Sequence, residues 1–304
     1  MNFNANGMTP NKNIRGVGVA LVTPFDDRGA VDYDALGRVI DHVMQGGVDY
    51  LVALGTTSES PTLRAEEKRD VVAFIKERNA GRLPVIVGCG GYDTEDVVRC
   101  IGGAGLDGVS ALLSVTPYYN KPSQEGLYQH YKRVAEVSPV PVLLYNVPSR
   151  TGVNMAAETT LRLAREVPNL LGIKEACGTV GQMMQILCGR PSSDFLVISG
   201  DDVMALPLAA MGGDGIISVA ANAFPSAMCG MMDAAEAGDY VAAAAIFRRL
   251  HPALEAIFAE GNPTGVKTVL ALKGMINNNL RLPLVRGSRQ LHDMLERLMA
   301  ENGL

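Results

Sequence analysis

The chain has no tryptophan, 5% aromatic residues and four histidines that stand apart from one another. Isolated histidines give little support to a His-based metal site. No apolar run is long enough to span a bilayer, and the first residues, Met1-Asn2-Phe3-Asn4-Ala5-Asn6-Gly7, hold no apolar signal core. There is no basic run. The net charge is −5, from 27 Lys and Arg against 32 Asp and Glu, which argues against nucleic acid or an anionic membrane as partner. There is no C-x-x-C. Cys89, Cys100, Cys177, Cys188 and Cys229 are odd in number and widely spaced. That usage fits reduced thiols in a cytoplasmic protein better than a disulfide framework or a zinc site. The nucleotide-binding G-x-G-x-x-G is also missing. Gly88-Cys89-Gly90-Gly91 departs from it and reads as a tight turn.

What is present is core material: 304 residues, 47% of them hydrophobic. Short, β-branched apolar runs recur at Gly16 to Phe25, Asp49 to Gly55, Leu83 to Gly90, Gly108 to Val115, Val140 to Val147, Leu170 to Ala176, Phe195 to Gly200 and Gly215 to Val219. Helical stretches separate them. Ala65 to Asn79 is acidic at its start and basic later, as a helix dipole prefers, and Thr94-Glu95-Asp96 opens a helix with a capping residue. Strand and helix periods in alternation predict parallel βα units, and eight units predict a (β/α)8 TIM barrel over residues 14–235. A doubly wound open sheet is the rival, but it usually carries a Gly motif after strand one. Beyond Val219, Ala-rich segments at Ala227 to Ala237, Tyr240 to Glu260, Gly265 to Asn277 and Ser288 to Glu301 exceed what an eighth helix needs. Residues 236–304 are therefore expected as a helical extension packed on the barrel, without chemistry of its own.

Lys174 is the most informative residue. It closes the apolar run Leu170-Leu171-Gly172-Ile173-Lys174-Glu175-Ala176. Desolvating an ammonium is costly, so a poorly solvated lysine is driven toward the free amine, which condenses with a ketone or aldehyde to a Schiff base. The same placement also fits a lysine that snorkels from a strand end. Barrels carry their chemistry at the C-terminal strand ends. There the sequence places Thr56-Thr57-Ser58-Glu59-Ser60, Thr116-Pro117-Tyr118-Tyr119-Asn120, Tyr145 through Arg150 to Gly152, Lys174-Glu175, and Ser199-Gly200-Asp201-Asp202. An amine nucleophile, phenols for proton transfer and a guanidinium for a carboxylate suit carbonyl chemistry. No carboxylate cluster suits Mg2+. Among these segments Asp201-Asp202 is the only close pair, and helix N-capping explains it equally well.

Gly55-Thr56-Thr57-Ser58-Glu59, Tyr145-Asn146-Val147-Pro148-Ser149-Arg150-Thr151-Gly152 and Gly172-Ile173-Lys174-Glu175-Ala176 resemble the signatures of the pyruvate-dependent class I aldolases. That superfamily includes N-acetylneuraminate lyases and dihydrodipicolinate synthases, and the resemblance runs from about Gly16 into the C-terminal helices. Thr116 through Gly126, and Arg150 after Tyr-Asn-Val-Pro-Ser, look like the synthase branch. The resemblance implies a lyase of lysine biosynthesis that condenses pyruvate with L-aspartate 4-semialdehyde. It implies no cofactor beyond a covalent pyruvate imine on Lys174. Tyr145 would shuttle protons, and Thr57 would link Tyr145 to Tyr119, contributed by a neighbouring subunit. Thr56 and Thr57 amides would hold the pyruvate carboxylate, Arg150 would grip the second substrate, and Gly200 and Ile217 would line the pocket. The implied assembly is a homotetramer built as a dimer of dimers.

Each assignment has a plainer counterpart. Thr56 and Thr57 also fit helix caps, Tyr145 a core tyrosine, Tyr118 and Tyr119 loop aromatics packing on a partner, and Arg150 a surface ion pair. A sister aldolase cleaving a sialic acid or 2-keto-3-deoxy sugar acid would share Lys174 and Tyr145. A non-catalytic relative would be expected to lack one of them. Ser58 replaces the glycine usual in the first signature, a strained choice only if that position needs positive φ. Members inhibited by lysine carry histidines where this chain has Ala65 and Lys68, although Tyr118 and Ser60 remain. Weak or absent inhibition by lysine is the expectation.

Overall fold

The computed structural model describes residues 14–304, so Met1 to Gly7 lie outside the described residues. Eight parallel strands, β1 (Gly16–Ala20), β2 (Tyr50–Ala53), β3 (Val85–Gly88), β4 (Ala111–Val115), β5 (Val142–Asn146), β6 (Leu170–Glu175), β7 (Leu196–Ser199) and β8 (Gly215–Ser218), close into a barrel in sequence order. The ring is sealed where β1 pairs β8, Gly18 opposite Ile217. Around it run α1 (Tyr33–Gln45), α2 (Ala65–Asn79), α3 (Thr94–Gly103), α4 (Gln124–Val137), α5 (Pro148–Thr151), α6 (Ala157–Glu166), α7 (Val180–Gly189), α8 (Ala205–Ala210) and α9 (Pro225–Glu236). Three more helices follow, α10 (Tyr240–Phe258), α11 (Thr264–Leu272) and α12 (Arg289–Asn302).

The barrel interior is packed, not hollow. Ala20, Tyr50, Val52, Ile86, Leu113, Leu143, Tyr145, Leu171, Ile198 and Ile217 form its core. A larger apolar layer joins the outer strand faces to α1, α2 and α9, and takes in Leu250, Leu254 and Ile257 of α10, Val266 and Val269 of α11 and Leu291 and Leu295 of α12. The last three helices thus share one core with the barrel wall.

Three local details differ from the sequence reading. The first strand leaves the ladder after Ala20 rather than at Phe25, because a side chain replaces the neighbouring strand. Asn222 Oδ1 accepts from Val22 N at 3.1 Å and its Nδ2 donates to Ala20 O at 2.7 Å. The cap of α3 is Asp93, whose carboxylate accepts from Glu95 N and Asp96 N. Thr94 Oγ1 instead meets His130 Nδ1 at 2.9 Å. Gly88 and Gly90 do not serve a turn of positive φ. They permit close approach, since a Cβ at Gly88 would lie 2.3 Å from Leu54 O and one at Gly90 2.8 Å from Val115 Cγ1.

Candidate active site

The mouth of the barrel is set by an irregularity in β6. Val142 pairs with Leu170 but Leu143 pairs with Gly172, so Leu171 is an extra residue on β6. Leu171 packs in the barrel interior, yet Ile173 packs on the outside. The bulge switches the alternation, and Lys174 thereby comes to lie beside Tyr145, its register partner on β5. Gly172 makes this possible at φ 155°, where any Cβ would sit 2.2 Å from Leu196 O.

Lys174 is 5% exposed and Tyr145 6%. The Lys174 Nζ lies 4.3 Å from the centroid of the Tyr145 ring. Lys174 does not snorkel: its stem passes over Gly200, where a Cβ would come within 3.0 Å of Lys174 Cε and 2.8 Å of Ala176 Cβ. Gly200 is the space that the lysine side chain needs. Ile217 is buried in the interior core below.

Thr56 and Thr57 lie in a single 3-10 turn, Thr56–Ser58. Amides in such a first turn have no intrahelical acceptor. The positive φ values flank the turn, at Leu54 (56°) and Glu59 (55°), and Ser58 is not among them. Ser58 is therefore unstrained, and its Oγ donates to Gly55 O at 2.7 Å. Thr57 is 1% exposed, and its Oγ1 accepts from Asn262 Nδ2 at 3.0 Å.

Arg150 lies in the short helix α5, one residue before its end, and Gly152 terminates the helix at φ 71°. It is exposed, and its guanidinium makes no hydrogen bond or ion pair with the described residues. Tyr119 is 87% exposed at φ 69°, while Tyr118 is half-buried with its ring 5.5 Å from that of Tyr92 in an edge-on contact. Within one chain, then, Lys174, Tyr145 and Gly200 come together, and Tyr119 turns outward. Asp201 and Asp202 do local structural work. Asp201 accepts from Val203 N at 3.0 Å. Asp202 accepts from Ser218 Oγ, Val219 N and Ala220 N, and so caps the turn after β8 rather than α8. Burial pushes the Asp202 carboxyl up to about 6.

Two groups of residues escaped the sequence reading. Glu175, fully buried beside Lys174, accepts from Asn146 Nδ2 at 2.9 Å, Gln182 Nε2 at 3.0 Å and Cys177 N at 2.8 Å. Burial raises its carboxyl, and those hydrogen bonds oppose the rise. Asn146 and Gln182 also reach Asn154 and Met155, so the cluster pins the segment that follows Arg150. Glu175 carries the same sequence signal as Lys174, a charge inside an apolar strand run. The second group comes from the C-terminal helices. Lys267 of α11, wholly buried, meets Glu59 Oε1 at 2.5 Å and donates to Asn279 O at 3.0 Å, while Arg281 N donates to Glu59 Oε2 at 3.0 Å. Burial pushes the Lys267 ammonium down to about 8. The C-terminal region, expected to pack on the barrel without chemistry of its own, does more than pack: Asn262 bonds Thr57, and Lys267 and Arg281 N hold Glu59 two residues on.

The dihydrodipicolinate synthetase family model matches residues 13–302. The chain belongs to the dihydrodipicolinate synthetase family. A 4-hydroxy-tetrahydrodipicolinate synthase of Parabacteroides distasonis is 50% identical over 273 residues, covering 90% of this chain and 92% of that one. Among solved structures, the dihydrodipicolinate synthase of Thermotoga maritima matches with a TM-score of 0.93 at 41% identity, covering 96% of this chain and 99% of its own. The chloride-inhibited family member of Acinetobacter baumannii, solved in complex with pyruvate, matches with a TM-score of 0.92 at 39% identity, covering 95% and 99%. The family is one of Schiff-base lyases, in keeping with the buried lysine at this mouth.

Proposed function

We propose that this chain condenses pyruvate with L-aspartate 4-semialdehyde to give 4-hydroxy-tetrahydrodipicolinate, the product for which its relatives are named, in the diaminopimelate route to lysine. The observation that carries the reading is the buried Lys174 amine set 4.3 Å from the Tyr145 ring at the barrel mouth. Lys174 Nζ attacks C2 of pyruvate, and the carbinolamine expels its hydroxyl as water to leave an imine. Loss of a methyl proton gives the enamine, whose carbon attacks the aldehyde. The amine of the second substrate then attacks the imine carbon and releases Lys174. No cofactor is needed, because the imine is itself the electron sink.

Each step moves a proton, and Tyr145, Thr57 and Tyr119 are the groups assigned to move it. The first-turn amides of Thr56 and Thr57 take the pyruvate carboxylate, with Gly200 and Ile217 lining the pocket. The exposed Arg150 guanidinium, without an ion pair among the described residues, takes the carboxylate of aspartate semialdehyde. Tyr119, 87% exposed in one chain, serves the site of a second copy, within a cytoplasmic tetramer built from tight dimers. Sedimentation at assay concentration gives a tetramer on this account, and a fully active monomer contradicts the role of Tyr119. The sister reaction on a sialic acid or 2-keto-3-deoxy sugar acid is disfavoured by Arg150 and by the relatives' names. The test is turnover. The pure protein consumes pyruvate only when aspartate semialdehyde is present and cleaves neither sugar acid. Sugar-acid cleavage without aspartate semialdehyde turnover overturns the reading.

A further inference from the structure

A hydroxyl carries one hydrogen and can both give and accept a hydrogen bond. Thr57 accepts one bond, from Asn262 Nδ2 at 3.0 Å, and none of the described residues accepts the Thr57 hydrogen in return. Asn262 is 7% exposed and lies between α10 and α11, 205 residues along the chain from Thr57. Among the described residues its side chain makes no other hydrogen bond, and Oδ1 is buried without a partner. A buried amide kept for a single contact costs stability, since an unpaired polar atom in the interior is unfavourable.

We propose that Asn262 is a positioning residue that sets the direction of proton transfer through Thr57. With the amide nitrogen donating into Thr57 Oγ1, the threonine hydrogen is left for a phenol, and Thr57 acts as a donor toward Tyr145. With a carboxylate or carbonyl oxygen in place of that nitrogen, Thr57 would spend its hydrogen on residue 262 and could only accept. The turn is held so that this one contact decides. Glu59, at φ 55° just past Thr57, is fixed by Lys267, also from the C-terminal helices, and by Arg281 N. The inference rests on the assignment of Thr57 to the proton path under Proposed function. It adds a residue that never touches substrate.

Asn262→Asp tests it, because the new side chain has nearly the same shape and its donor capacity depends on pH; at a site 7% exposed, burial raises a carboxyl into the measured range, as it raises Asp202 to about 6. As a carboxylate it only accepts. Protonated, it donates again. The readout is the ratio of variant to wild-type kcat from pH 5.5 to 9, together with KM for pyruvate. The expected result is a ratio near one-hundredth at pH 9, about the lower limit for loss of a proton-transfer group. It climbs at least tenfold as pH falls to 5.5, with KM for pyruvate within about threefold throughout. A ratio flat with pH, or kcat within twofold of wild type at pH 9, overturns the proposal, because a merely structural asparagine would give one or the other. Asn262→Ala provides a second reading that does not depend on the charged variant folding. It removes the donor without adding an acceptor that could take the Thr57 hydrogen, so kcat falls less than in the carboxylate form and with a ratio independent of pH, and a loss at pH 9 as large as that of Asn262→Asp overturns the proposal. Wild-type protein inactive with pyruvate and aspartate semialdehyde would instead sink the functional reading itself, so the two failures are distinct.

Discussion

The Lys174 Nζ lies 4.3 Å from the centre of the Tyr145 ring, and the two residues are register partners on adjacent strands. The pairing depends on the extra residue at Leu171 and on the lack of a side chain at Gly200. Lys174 and Tyr145 therefore sit on strand ends, while Thr57 arrives on a 3-10 turn, Arg150 on the short helix α5 and Tyr119 outside any helix or strand.

Tyr145→Phe keeps the ring beside Lys174 and removes the hydroxyl. Loss of a general acid–base group costs about two to four decades in rate. Steady-state kinetics give kcat reduced by roughly that factor with KM for pyruvate little changed. Near wild-type kcat contradicts the proton path.

Lys267→Met strands the Glu59 carboxylate in the interior. Removing one partner of a buried ion pair typically costs about 3–5 kcal/mol. Denaturant unfolding shows a loss of that order for the single variant, and adding Glu59→Gln recovers part of it. A single-variant loss below about 1 kcal/mol, the level of an exposed pair, shows that the pair does not anchor the turn.

Burial pushes His130 down to about 4, against an ordinary value of 6.5. The unfolded chain therefore binds a proton between pH 6.5 and 4 that the folded chain refuses. Stability from the neutral imidazole is complete above pH 6.5 and lost as pH falls through 4, a difference on the order of 3 kcal/mol. In His130→Leu the fall in stability between those pH values is shallower by about that amount, measured by urea unfolding at each pH. An unchanged slope removes His130 from the acid response.

Free lysine inhibits weakly or not at all. Ala65 opens α2, exposed and without a hydrogen-bonding side chain. Lys68 is half-buried, three residues further along the same helix. A cation held there repels another: like charges about 5 Å apart cost on the order of a few kcal/mol at an effective dielectric near 20. Activity against lysine at saturating pyruvate gives half-inhibition above about a millimolar, an affinity worth roughly 4 kcal/mol. Tighter inhibition shows that Lys68 does not block the site.

The barrel was legible because each βα unit is a local pattern, an apolar run followed by a helical one. Lys174 was legible because a charge inside an apolar run is a local contradiction. Glu175 and Lys267 are contradictions of the same kind, and their partners, not their burial, were beyond reach. Asn262 was illegible for another reason. It sits in a short segment without periodicity, and its meaning lies entirely in Thr57, 205 residues away. The bulge at Leu171 also leaves no mark in composition, since leucine suits both faces of a barrel strand.

The most direct test of the account is covalent trapping. Pyruvate condensed with an amine and reduced by borohydride leaves one stable pyruvate-derived mass on the lysine that formed the imine. Peptide mapping after reduction should place a single adduct on the peptide containing Lys174, absent when pyruvate is withheld and absent in Lys174→Ala. An adduct on another lysine, or none at all, contradicts the central claim.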